Sequence, residues 1–218
     1  MDRAYLFDMD GTLIDTEPIW VEAVEAVLGS LGFPLARAEA ARLVYGRSWH
    51  DIYREIVRRW PSFPLSIQAA QDRLTPQFLA LRGERDIRIP SSIALLRRLA
   101  ADHPVALVSG SPRPDVDAGI AFMGIGHLIR FSLASDDYSP GKPDPACYLK
   151  AAARLEVPPA DCVVFEDSGA GVRAAKAAGA YCVALARPGL AHPQDLSAAD
   201  EVLPDLANYR DPAGWSIP

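Results

Sequence analysis

The spacing of apolar positions divides the chain into stretches of two kinds. Tyr5-Leu6-Phe7 is an unbroken apolar run inside residues 3 to 8, which predicts a short buried strand. Pro18 then suits the first turn of a helix in which Trp20, Val21, Val24, Val27, Leu28 and Leu31 recur at helical spacing, with Gly32 placed to end it. Helical periodicity returns over 36–45, 48–60 and 66–82, interrupted by Gly46 and by Pro61-Ser62-Phe63-Pro64. No strand-like run falls among these segments. After the polar stretch 83–88 the pattern alternates. A helix carrying Ile93, Leu95, Leu96 and Leu99 precedes the run Val105-Ala106-Leu107-Val108, followed by helices near 113–123, 144–155 and 169–178 and strands near 131–134, 162–165 and 181–185. This is the signature of βαβ units building a parallel sheet.

The first strand belongs with the later set, so the fold class is α/β. The reading is a Rossmann-like, doubly wound parallel sheet formed by 1–14 and 83–218, with a four-helix cap inserted at 15–82. The two crossings between them fall near 12–17 and 80–88.

Composition narrows the function. At 218 residues, 50% hydrophobic and 23% charged, the chain has ordinary globular content. The net charge of −6, with no basic block, argues against a nucleic-acid partner. No apolar segment approaches the roughly 18 residues that span a bilayer, and no cleaved leader is expected before the first strand. Cys147, Cys162 and Cys182 are odd in number and lack metal-ligand spacing, which fits core thiols in a reducing cytoplasm.

The chemistry gathers where strands end. Asp8-Met9-Asp10-Gly11-Thr12 follows the first strand and places two carboxylates on one side of the backbone. Such a pair implies a bound cation, a shared proton or open solvent. Ser109-Gly110-Ser111 follows the second strand and offers a hydroxyl and amides suited to an anion, or an ordinary Ser cap. Glu166-Asp167-Ser168 follows the fourth. In open α/β sheets these positions border one crevice. Of 22 basic residues only Lys142, Lys150 and Lys176 are lysine, and Lys142 stands in Gly-Lys-Pro just before a helix, where it needs a negative partner. Crowded carboxylates of this kind favour a hard divalent ion such as Mg²⁺.

In order and context these four stretches match the motifs of the haloacid dehalogenase superfamily, which the chain resembles over nearly its whole length. The inserted helices resemble that family's small cap (subfamily I), found in phosphoglycolate phosphatases, sugar-phosphate phosphatases and β-phosphoglucomutases. One departure is Pro90-Ser91 where relatives often have Pro-Gly. The resemblance implies that Asp8 attacks phosphorus to form an aspartyl phosphate. Asp10 acts as acid and then base, and Ser109 and Lys142 hold phosphoryl oxygens. Mg²⁺ is expected on Asp8, Asp10 through its carbonyl, Asp167 and Glu166. Thr12, Gly110 and Ser111 are candidates for the phosphoryl group, and Glu17, Trp20, Arg47, Trp49, His50 and Arg54 for substrate choice, with Glu17 and Arg47 put forward as substrate-binding.

Asp10 argues against a dehalogenase, and the lack of any lysine in 15–82 argues against an imine-forming phosphonate hydrolase. A receiver-type signalling module would not have the helical insertion. The expected activity is a Mg²⁺-dependent phosphomonoesterase acting on a sugar or polyol phosphate, in a cytoplasmic monomer or weak homodimer. The alternative is a β-phosphoglucomutase-type phosphosugar mutase, which often has a histidine where this chain has Trp20.

Overall fold

The computed structural model describes residues 3–47, 49–83, 85–187 and 194–211. They fall into two compact units, one of 3–13, 89–187 and 195–211, the other of Gln194 with the described residues of 14–88.

The first unit is a single parallel sheet of six strands, ordered β3-β2-β1-β4-β5-β6. These are β1 (Ala4–Phe7), β2 (Val105–Val108), β3 (Ser132–Leu133), β4 (Cys162–Glu166), β5 (Tyr181–Leu185) and β6 (Glu201–Leu203). Every residue of β1, β2 and β4 is buried, which is why these strands read as continuous apolar runs and do not alternate. The core packs Leu6, Val108 and Val164 with Cys147, Tyr148 and Ala151, and all three cysteines are buried free thiols. Strand order reverses between β1 and β4, whose registers pair Phe7 with Phe165. At such a switch point the chains diverge to either side and leave a crevice beyond the strands' carboxyl ends. Asp8 and Asp167 follow β1 and β4 at this place.

Helices of this unit are, in chain order after the inserted block, α5 (Pro90–Leu99), α6 (Arg113–Met123), α7 (Ala146–Leu155) and α8 (Gly169–Ala178). Helix α7 begins two residues later than its periodicity predicts, because Pro145 serves as its N-cap. Strand β6 is an addition to the expected set. It is a three-residue edge strand whose Val202 is 48% exposed, so it carries no buried run for a sequence pattern to reveal.

The second unit holds α1 (Glu17–Ser30), α2 (Arg37–Val44), α3 (Trp49–Arg59) and α4 (Ile67–Gly83). Trp20 of α1 stacks on Phe78 of α4 at 4.1 Å between ring centroids, and Ile19, Val24, Leu28, Leu43, Ile56 and Leu74 are buried. The unit continues past the expected boundary at 82, because Arg88 forms an antiparallel bridge with Ile14 and Asp15 donates its amide to the Ile87 carbonyl.

Candidate active site

Lys142 is the centre of the crevice. Its ammonium donates to Asp8 Oδ1 at 2.7 Å, to Glu166 Oε1 at 2.6 Å and to the Val108 carbonyl at 3.2 Å, so the ends of β1, β2 and β4 are tied by one cation. This is the negative partnership that a lysine ahead of a helix requires. Burial by itself would lower the lysine's pKa. Asp8 and Glu166 outweigh that and hold it well above its ordinary value.

Carboxylate oxygens of Asp8, Glu166 and Asp167 lie within 4.8 Å of one another, and all three residues are buried. Burial pushes the Asp8 carboxyl up to about 8 against the pull of Lys142, with Glu166 and Asp10 adding to the rise. A cluster of hard oxygen donors of this kind could hold a divalent cation. The backbone makes room for the Asp167 carboxylate: Gly11 has φ +86°, and a Cβ there would stand 2.0 Å from Asp167 Oδ2.

Glu166 differs from its two neighbours in being fully enclosed. Its Oε1 accepts from Lys142 and from the Tyr148 hydroxyl at 2.7 Å. Its Oε2 accepts from the Asp167 amide, the Ser168 amide and the Ser168 hydroxyl at 3.2, 3.2 and 3.0 Å. Ser168 also caps α8 by accepting from the Gly171 amide. A Cβ on Gly171 would fall 1.8 Å from Glu166 Oε1. Gly171→Ala is therefore expected to cost about 3 kcal/mol through overpacking and broken buried hydrogen bonds. Denaturant unfolding checks this, and a midpoint equal to wild type would refute the close approach.

Asp10 faces another way. Its Oδ2 accepts from Ser111 Oγ at 2.8 Å and Ser109 Oγ at 3.3 Å, and its side chain is outside the cluster of three carboxylates. Ser109 Oγ in turn accepts the Ser111 amide at 3.0 Å, and the Ser109 carbonyl accepts the Tyr138 hydroxyl at 2.9 Å. Thr12 is fully buried and donates to Asp167 Oδ1 at 3.5 Å, whereas Gly110 is exposed at the turn.

The fold thus brings together Asp8, Asp10, Ser109, Ser111, Lys142, Glu166, Asp167 and Thr12 in the first unit. Glu17 and Arg47 belong to the second. There Glu17 Oε1 accepts the Gly46 amide at 2.8 Å, and exposed Arg47 lines a groove with Asp51, Arg54, Glu55 and Arg58. Tyr138, Tyr148 and Gly171 are participants that no motif announced. The available signal for Tyr148 was a large hydroxyl-bearing ring on the face of α7 that otherwise buries Cys147, Ala151 and Ala152.

The chain is similar to known proteins. The chain is 33% identical over 221 residues to the bifunctional riboflavin kinase/FMN phosphatase of Arabidopsis thaliana, an alignment that takes in 100% of this chain and 57% of that protein. It is 31% identical over 217 residues to the validoxylamine A 7'-phosphate phosphatase of Streptomyces hygroscopicus subsp. limoneus, covering 97% and 98% of the two chains. Among solved structures, CbbY from Rhodobacter sphaeroides in complex with phosphate superimposes with a TM-score of 0.80 at 29% identity, over 95% and 96% of the chains. The sequence profile of the haloacid dehalogenase-like hydrolases matches residues 3–179, and with phosphatase relatives at about this identity along most of its length, the chain belongs to that family of enzymes.

Proposed function

We propose that the protein is a Mg²⁺-dependent phosphomonoesterase that hydrolyses a small sugar or polyol phosphate through an aspartyl phosphate on Asp8. The observation that carries this reading is the 2.7 Å contact between Asp8 and Lys142 at the end of β1, beside the Asp167 carboxylate. A buried carboxylate with a cation at one oxygen and room for another beside it can approach a phosphate dianion despite their like charge.

An Asp8 oxygen forms a bond to phosphorus as the bond to the substrate's ester oxygen breaks, and Asp10 gives that oxygen its proton. Asp10 then takes a proton from water, whose oxygen attacks phosphorus, releasing inorganic phosphate and regenerating Asp8. The Ser111 hydroxyl orients Asp10 for both transfers, leaving the Ser109 hydroxyl, at the longer 3.3 Å from Asp10, to turn to the substrate. Ser109 and Lys142 hold the transferring oxygens. Asp8, Asp167 and the Asp10 carbonyl would hold Mg²⁺, which when bound neutralises charge between nucleophile and phosphoryl group. Glu166, with both oxygens already occupied, supplies charge and anchors Lys142.

The named activities of the relatives, on phosphorylated small molecules, support this substrate class. Hydrolysis is favoured over the mutase alternative because Trp20, where such mutases often have histidine, is engaged in stacking on Phe78. A phosphate-release screen over sugar phosphates, polyol phosphates, phosphoglycolate and nucleotides tests the proposal. It should be run beside an assay of glucose 1-phosphate with a bisphosphate activator. Free phosphate is expected; glucose 6-phosphate in its place would establish the mutase.

Substrate choice is assigned to Arg47, an exposed guanidinium following Gly46. Arg47→Ala is expected to raise KM for the best substrate by about ten-fold, the scale of one charge-assisted contact, while an aryl phosphate is unaffected. Equal effects on both would discard the assignment.

A further inference from the structure

We propose that Tyr148 is a positioning residue: by sharing Glu166 Oε1 with Lys142, its hydroxyl keeps the lysine ammonium aimed at Asp8. The proposal deepens the phosphomonoesterase reading, and its kinetic consequence rests on that reading.

An ammonium has three protons to donate. Those of Lys142 go to Asp8 Oδ1, Glu166 Oε1 and the Val108 carbonyl. The Val108 carbonyl is fixed by the β-sheet, and Asp8 is the group that reacts. How closely the ammonium approaches Asp8 therefore depends on how strongly Glu166 draws it away. Of the five donors on Glu166, three come from Asp167 and Ser168, within two residues of it, and all three reach Oε2. Oε1 carries only Lys142 and Tyr148 among the described contacts. Tyr148 is delivered from α7, is 1% exposed, and has its ring centroid 5.2 Å from Lys142 Nζ. It therefore touches the lysine's anchor and flank and is too enclosed to meet substrate.

Without the tyrosine hydroxyl, Oε1 regains a lone pair whose nearest donor is Lys142. The ammonium shifts toward Glu166 and away from Asp8, so less positive charge stands beside the nucleophile as its oxygen bonds to phosphorus in the transition state. The signature is a loss in kcat with KM retained.

Tyr148→Phe keeps the ring and its packing and removes the hydroxyl alone. It is expected to lower kcat about ten-fold, the equivalent of one buried hydrogen bond, with KM for substrate unchanged and orthovanadate inhibition weakened in parallel with kcat. A second readout needs no turnover. Lys142, Lys150 and Lys176 are the only lysines, so ¹³Cε-lysine NMR resolves each one. The Lys142 resonance is expected to move in Tyr148→Phe while the other two stay. A wild-type kcat, a KM effect without a kcat effect, or an unmoved Lys142 resonance would overturn the proposal. If the wild-type protein releases no phosphate from any substrate, the phosphomonoesterase reading fails, and the Lys142 resonance alone then decides the positioning role.

Discussion

Asp8→Asn is expected to abolish turnover, lowering kcat by at least about 10,000-fold, the scale on which an enzyme loses its nucleophile. The amide preserves the shape of the carboxylate but has no anionic oxygen to attack phosphorus. The fold should survive, since Lys142 retains Glu166 and the Val108 carbonyl as partners. Its stability should in fact carry a pH signature. An acid whose pKa rises on folding contributes stability that is present below its ordinary value and lost as pH climbs through the folded one. For Asp8 in metal-free protein those limits are 3.8 and about 8. The stability of wild type relative to Asp8→Asn should therefore fall between pH 4 and pH 8 and level off above. Denaturant melts of both proteins in chelator across that range measure it, and a constant difference would show that Asp8 is not desolvated as described.

Lys142→Ala should be the most damaging substitution to fold and chemistry together. Removing one partner of a buried ion pair leaves an uncompensated charge and costs about 3–5 kcal/mol, and here both Asp8 and Glu166 lose their cation. The lysine's own contribution persists through neutral pH, because its folded pKa lies above the ordinary 10.5 and charge is lost only beyond that. A variant as stable as wild type at pH 7, or one that hydrolyses substrate normally, would remove Lys142 from the centre of the site.

Much of this was legible in the chain because parallel strands buried on both faces leave plain marks. Val105-Ala106-Leu107-Val108 and Cys162-Val163-Val164-Phe165 need no partner to be recognised, and the polar groups that follow such runs sit at strand ends by necessity. That logic reaches Asp8, Asp10, Ser109 and Asp167, while Lys142 stands out as a rare lysine in a Gly-Lys-Pro turn ahead of a helix. It does not reach β6, whose three residues pair only at an edge. Nor does it separate Glu166 from Asp167: the carboxylates of both cluster with that of Asp8, but Glu166 is committed to five donors, three of which arise in its own turn. Tyr148 and Gly171 escaped notice because their roles arise from an approach across the fold, Tyr148 by donating to Glu166 and Gly171 by lacking a Cβ that would strike it. Ser111 entered as a backbone donor, but it is the hydroxyl that holds Asp10.

In the proposed reaction Asp8 carries the phosphoryl group during turnover. Rapid acid quench of enzyme turning over its best substrate with Mg²⁺, followed by peptide mass spectrometry, tests it directly. One added phosphoryl group is expected on the peptide containing Asp8, sensitive to hydroxylamine and absent from Asp8→Asn. A phosphoryl group on another residue, or full turnover by Asp8→Asn with no modified peptide, would contradict it.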